Sequence, residues 1–267
     1  MTALPTKTER IVARSEGAIG WMIFNNPAKH NAITMDMAEA VPAVMREFEN
    51  DAAVRVIVVA GAGEKAFAAG SDISGFEDVR SDPQKNKHYN EVNEQSYNAV
   101  YACAKPTIAM IRGYCIGGGL DFATSCDVRF CSDNAVFAVP AGRLGLGYGH
   151  EGLLRFGRVM GFMRARDLFL SGRRLNAEEA LRLGLVHRVV PLAELESETT
   201  AYAQTIADNA PLTLAAIKRA FLEYEKEPAA RDLSSAQAMI DACFRSADYL
   251  EGRAAFAAKR KPQFKGG

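Results

Sequence analysis

Apolar residues along the first half of the chain come in short bursts of two alternating periods. IVARSEGAIGWMIF, residues 11–24, reads as two short strands around a Glu16-Gly17 turn. The polar, proline-containing connector NNPAKHNA follows. MDMAEAVPAVMREFENDA, 35–52, then spaces its apolar positions as a helix does, behind Thr34 as a candidate N-cap. VRVIVVAGAG, 54–63, is a β-branched run of the kind buried on both faces of a sheet, and it ends in a glycine turn. The unit then recurs: a helix bearing Gln, Asn and Tyr over 84–104, the strand PTIAMIRGYC, a glycine triplet, a short helix, and the strands DVRFCS and AVFAVP. Strand pairs separated by helices predict a layered α/β core of repeated β-β-α turns.

After about Leu195 the β-branched runs stop. TAYAQTIADNAPLTLAAIKRAFLEYEK, SSAQAMIDACFRSADY and LEGRAAFAAKR all read as amphipathic helices. The expected organisation is therefore an α/β core over 1–195 with a helical lobe over 196–267, placed to cover a neighbour or to complete a pocket.

Composition narrows the class of function. Lys plus Arg equals Asp plus Glu at 32 each, so no global field exists to hold nucleic acid or an anionic membrane, and any anionic ligand needs a local basic patch. Cys103, Cys115, Cys126, Cys131 and Cys243 are odd in number and contain no C-x-x-C pair, which fits reduced thiols rather than a disulfide framework or a zinc site. The first residues lack an apolar signal core, and no stretch of about 18 apolar residues occurs later. The expectation is a cytoplasmic or similarly reducing compartment, with no membrane and no nucleic-acid partner.

One glycine pattern is deceptive. Gly147, Gly149 and Gly152 match the G-x-G-x-x-G spacing of dinucleotide folds, with Asp167 beyond, but that fingerprint must follow a buried strand. Here Pro140, Gly142 and Gly145 interrupt the approach. No P-loop, H-E-x-x-H or G-x-S-x-G pattern occurs, so metal and serine-hydrolase chemistry have no motif. More promising are two glycine turns of one type, GEKAFAAGSDI (63–73) and YCIGGGLDF (114–122). Each carries the chain from a β-like run toward a helix, where free N–H groups accumulate. They read either as plain turns or, if they face each other, as two donors to one oxygen, an oxyanion hole suited to a thioester carbonyl.

NNPAKHNAIT, KAFAAGSDI, PTIAMIRGYCIGGGLDFATSCDVRF and LNAEEALRLGLVHRVVP resemble, in order, the signature segments of the crotonase (enoyl-CoA hydratase/isomerase) superfamily, and SADYLEGRAAFAAKRKPQF resembles its closing helix. The resemblance runs from about residue 20 to 264. It implies a spiral of β-β-α units with a helical C-terminal lobe, no tightly bound cofactor, a coenzyme A thioester as substrate, and a homotrimer or dimer of trimers. It places the two oxyanion-hole amides at Ser71 and Gly118. It sets adenine beside backbone groups of the first turn, about Ala66, Phe67 and Ala69. Lys29 and, from a neighbouring subunit, Lys259 match the residues that meet the phosphates, and Phe256 matches an aromatic lining the pocket.

Hydration in this family resembles acid–base catalysis by two glutamates. This chain carries Asp121 at the first position and Ala141 at the second, with Arg143, Tyr148, His150 and Glu151 as the polar groups nearby. Tyr148 resembles a tyrosine of methylmalonyl-CoA decarboxylase-like members, which also lack the second glutamate. Asp at the first position also resembles some dienoyl-CoA isomerases. The leading expectation is enoyl-CoA hydration or dehydration with Asp121 as acid/base. Decarboxylation or isomerisation of an acyl-CoA comes next, then an acyl-CoA-binding protein without chemistry, and last a nicotinamide oxidoreductase. Pocket shape is expected to depend on the segment 75–100.

Overall fold

Two strands follow one another in each repeat, and they enter different sheets. The computed structural model describes residues 1–72, 74 and 82–267. β1 (Thr2–Leu4), β2 (Ile11–Glu16) and β3 (Ile19–Phe24) lead into α1 (Met35–Asn50), then β4 (Val56–Gly61), β5 (Ala66–Ala68) and α2 (Pro83–Tyr101). The next repeat is β6 (Thr107–Ile111), β7 (Tyr114–Ile116) and α3 (Gly118–Ser125). The third is β8 (Val128–Ser132), β9 (Val136–Ala138), α4 (His150–Met160) and α5 (Phe162–Ser171). β10 (Leu175–Asn176), α6 (Ala177–Arg182) and β11 (Arg188–Val190) close the core. Among the described residues seven strands form one sheet in the order β1-β2-β3-β4-β6-β8-β11, and four form a second, β10-β9-β7-β5. The first strand of each repeat lies in the large sheet and the second in the small one, parallel to its predecessor.

This alternation corrects one expectation. PTIAMIRGYC is two strands, β6 and β7, because the chain turns at Gly113, whose φ is +57° and whose Cβ would lie 2.0 Å from the Lys65 carbonyl oxygen. Only glycine accepts both the left-handed backbone and the close approach. The run expected to be buried on both faces is so, since every residue of β4 is buried, and every residue of β6 is buried as well. Thr34 stands at the start of α1, but its side chain makes no capping hydrogen bond.

One face of the large sheet is covered by α1, whose Met37, Val41, Val44, Met45 and Phe48 are buried with Phe122 of α3 and Phe67 of β5 in one apolar cluster. On the other face lies α7 (Leu195–Ala207). Its Leu195, Ala203 and Ala207 pack on Trp21, Val58, Ile108 and Phe130. The stretch read as one helix over 200–226 is two, since Pro211 opens α8 (Pro211–Tyr224). α9 (Leu233–Arg245) likewise ends before SADY, where the Ser246 hydroxyl accepts from the Tyr249 amide and caps α10 (Ala247–Ala257). Among the described residues no helix is long and apolar enough to cross a membrane.

Candidate active site

Two turns meet where α3 approaches β5. In the first, Ile33 N–H donates to the Gly70 carbonyl and Asp72 N–H to the Ile33 carbonyl, both at 2.8 Å, which leaves the intervening Ser71 amide out of the ladder. In the second, Gly117 has φ +50°, donates to the Ala138 carbonyl at 2.9 Å, and accepts from the amides of Leu120 and Asp121. Gly118 is the first residue of α3, so its amide has no partner within the helix. Among the described residues neither the Ser71 nor the Gly118 N–H donates to a backbone carbonyl.

The glycines hold these amides together. A Cβ on Gly119 would lie 2.2 Å from the Ala68 carbonyl oxygen, so α3 rests directly on the backbone of β5. A Cβ on Gly118 would lie 2.8 Å from Tyr97 Oη, 3.2 Å from Ser71 Oγ and 3.7 Å from Ser71 N. Gly118, Ser71 and Tyr97 therefore surround one small space that any side chain at 118 would fill. That space belongs to a cavity of about 530 Å³ lined also by Lys29, Ala69, Asp121, Ala141 and Tyr148.

Among the described residues, Asp121 is the carboxylate of this cavity that is left for chemistry. Its side chain is 5% exposed. Tyr148 donates a hydrogen bond to Oδ2, while among the described residues Oδ1 has no hydrogen-bond partner and lies 3.7 Å from Nη2 of Arg155. Burial pushes the Asp121 carboxyl up to about 7 against the opposing pull of the Tyr148 hydrogen bond and the Arg155 charge. The other two carboxylates that line it among the described residues are committed. Glu94 is held by the Arg155 guanidinium through bonds of 2.5 and 3.0 Å. Asp72, kept ionised with its pKa near 2 mainly by hydrogen bonds from Ser74 and Lys29, sits at the rim. Ala141, buried in the wall, leaves the second position without a carboxylate.

The expected residues separate into three groups. Ser71, Gly118, Asp121, Tyr148, Lys29 and Ala69 line the cavity. Ala66 and Phe67 lie buried in β5 just behind the first turn, where Asn31 donates to the Ala66 carbonyl at 2.8 Å. Phe256 and Lys259 do not line it within one chain. Phe256 is 88% exposed beside a separate apolar cavity, and Lys259 follows the end of α10. Ile73 and 75–81, parts of the first turn and of the segment expected to shape the pocket, lie outside the described residues. Arg143, His150 and Glu151 are exposed and do not line the cavity. The G-x-G-x-x-G glycines follow a 3-10 turn, Ala141–Leu144, rather than a strand, with Gly149 preceding α4 and Gly152 inside it.

Sequence reasoning missed Tyr97, Glu94 and Arg155. Tyr97 stands on α2, its ring edge-on to Phe122 at 4.7 Å and beneath the Arg155 guanidinium at 5.3 Å. The tyrosines in an otherwise polar helix were the available signal. For Arg155 there was none, since its burial depends on a partner 61 positions away. Tyr148 is both a core residue, packed edge-on against Phe169 at 4.7 Å, and a wall of the cavity.

Comparison with known proteins places the chain in a family. The enoyl-CoA hydratase/isomerase family model matches residues 14–267. A short-chain-enoyl-CoA hydratase of Clostridium acetobutylicum is 32% identical over 251 residues, covering 94% of this chain and 95% of that protein. A carnitinyl-CoA dehydratase of Escherichia coli (strain K12) is 34% identical over 263 residues, covering 97% and 99%. The crystal structure of an enoyl-CoA hydratase/carnithine racemase from Magnetospirillum magneticum superposes with a TM-score of 0.91 at 34% identity, covering 98% of this chain and 97% of that one.

Proposed function

Since the chain belongs to the enoyl-CoA hydratase/isomerase family, we propose that it adds water to, or removes water from, a coenzyme A thioester through Asp121 as its single acid/base. One observation carries this reading. A buried carboxyl, its pKa raised to about 7, shares a cavity with the amides of Ser71 and Gly118, and among the described residues one of its oxygens and both amides are without a hydrogen-bond partner. In the hydration direction the thioester oxygen accepts from the amides of Ser71 and Gly118. The Asp121 carboxylate takes a proton from water as the water oxygen bonds to C3, and the C2=C3 pair moves to form an enolate on the thioester oxygen. Asp121 then returns the proton to C2, so the carboxylate is restored and no second acid is required. Dehydration is the reverse. Tyr148 holds Oδ2, which leaves Oδ1 for the proton.

The assay is loss of the conjugated thioester absorbance on adding a 2-enoyl-CoA such as crotonyl-CoA. Turnover supports the reading; tight binding of enoyl-CoA thioesters without turnover of any of them contradicts it. Ala141 and Tyr148 favour one alternative, decarboxylation that depends on the amides alone. Release of carbon dioxide from a malonyl-type thioester without hydration would select it.

Lys29, at the cavity rim, meets the coenzyme A phosphates in this reading, and the backbone of 66–69 flanks the adenine. Phe256 and Lys259 reach the cavity of a neighbouring subunit. Association in threes, or as paired trimers, is supported by α8–α10, where Ile217, Phe221, Phe244 and Phe256 are exposed around an apolar cavity of about 930 Å³. Light scattering behind gel filtration should give a trimer or hexamer for the parent and a smaller species for Phe221→Glu with Phe244→Glu; a monomeric parent removes the assembly. A cytoplasmic setting agrees with five unpaired cysteines, four of them buried.

A further inference from the structure

We infer that the Tyr97 hydroxyl is a third hydrogen-bond donor of the oxyanion hole, acting on the thioester oxygen with the amides of Ser71 and Gly118. The inference rests on the proposed enolate chemistry and deepens it. Tyr97 lines the cavity, and among the described residues no protein group donates to or accepts from its hydroxyl. A phenol inside a protein that is left unbonded in this way is a group waiting for a ligand partner. Its position is specific. The point beside Gly118 where a Cβ would stand is 2.8 Å from Tyr97 Oη and 3.7 Å from Ser71 N, so the hydroxyl and the two amides border the same space.

The ring has little freedom to leave that place. It is wedged between Phe122 and the Arg155 guanidinium, which is itself clamped by Glu94. The hydroxyl is thus preorganised, the condition under which a donor contributes to transition-state stabilisation without reorganisation. Burial, followed by the Asp121 charge, pushes the phenol well above its ordinary pKa, so it remains a protonated donor across the working pH range. This also gives a physical reason for glycine at 118 beyond amide access: an alanine methyl would displace the tyrosine hydroxyl.

The inference assigns Tyr97 a role distinct from that of Asp121. The carboxylate moves a proton, whereas the phenol only donates a hydrogen bond that strengthens as negative charge gathers on oxygen. Its loss must therefore fall on kcat rather than on ground-state binding.

Tyr97→Phe keeps the ring and its packing and removes only the oxygen. It should lower kcat for enoyl-CoA hydration about 100-fold, the typical effect of deleting one oxyanion-hole donor, with KM changed less than about threefold and an unaltered melting temperature. A second readout needs no turnover. Acetoacetyl-CoA ionises to an enolate with its own absorbance, and the parent should bind it with the enolate favoured, whereas the variant should require higher pH to show the same band. If neither kcat nor the enolate titration moves, Tyr97 is not a donor. If the parent fails to hydrate any enoyl-CoA yet the enolate titration still shifts between parent and variant, the hydratase reading falls and the third donor stands.

Discussion

Asp121→Asn will reduce enoyl-CoA hydration by about 10³-fold while leaving the fold and thioester binding intact, because general acid–base catalysis by a placed side chain contributes about 10²–10⁴-fold. Asparagine preserves the size of the group and an oxygen acceptor for the Tyr148 hydroxyl, and Arg155 keeps its Glu94 partner, so the main loss is of proton transfer. The same residue sets the pH dependence. Its carboxyl titrates at about 7, lifted chiefly by burial, and the reaction begins from the ionised form. As the pH falls through about 7 the carboxylate is protonated and can no longer accept a proton from water. The parent's kcat/KM should therefore decline below that point and level off above it, and the residual activity of the variant should lack that limb. A variant that hydrates at the parent rate would show that the proton moves elsewhere.

Gly119→Ala is the second large effect, and it acts through the backbone. The new methyl would lie 2.2 Å from the Ala68 carbonyl oxygen and 2.8 Å from the Ala68 carbonyl carbon, neither of which belongs to a side chain that can rotate away. Either α3 or β5 must shift. The cost is at the upper end of the range for overpacked sites, about 3 kcal/mol, which for a chain of this size lowers the melting temperature by about 6–12 °C. Because those two elements carry the amides of Gly118 and Ser71, separation of the pair should also reduce kcat. Gly147→Ala is the matched control: nothing lies within 4 Å of its Cβ position, and its thermal unfolding should follow the parent's. Equal melting temperatures for the two variants would contradict the close approach of α3 to β5.

Much of this arrangement is legible in the sequence because its causes are local. The buried runs of β4 and β6, the two glycine turns and the helix opened by Gly118 each depend on a few adjacent residues. The same locality explains the errors. Nothing in PTIAMIRGYC marks the change of sheet at Gly113, since the steric demand there comes from Lys65, far back in the chain. The packing of α7 on the large sheet was likewise invisible: its amphipathic pattern predicts a helix with one buried face, Leu195, Thr199, Ala203 and Ala207, but nothing in it names the sheet that face meets. Asp121 was readable as a candidate, but its environment was not. Glu94 and Tyr97 arrive from α2 and Arg155 from α4, and only the packing of both helices around α3 brings them to the carboxylate.

That packing is also why the single carboxylate is sufficient in this account. With Ala141 in the wall, a second proton carrier is absent from its usual place, and the burden passes to one group poised to give back the proton it takes. The remaining stabilisation must come from donors facing the developing negative charge.

The most direct test is a crystal structure with a 3-hydroxyacyl-CoA or unreactive acyl-CoA bound. The expected result is a thioester oxygen about 3 Å from the amide nitrogens of both Ser71 and Gly118, with C2 and C3 beside Asp121 Oδ1. A thioester oxygen turned away from those amides, or an acyl group seated out of reach of Asp121, would contradict it.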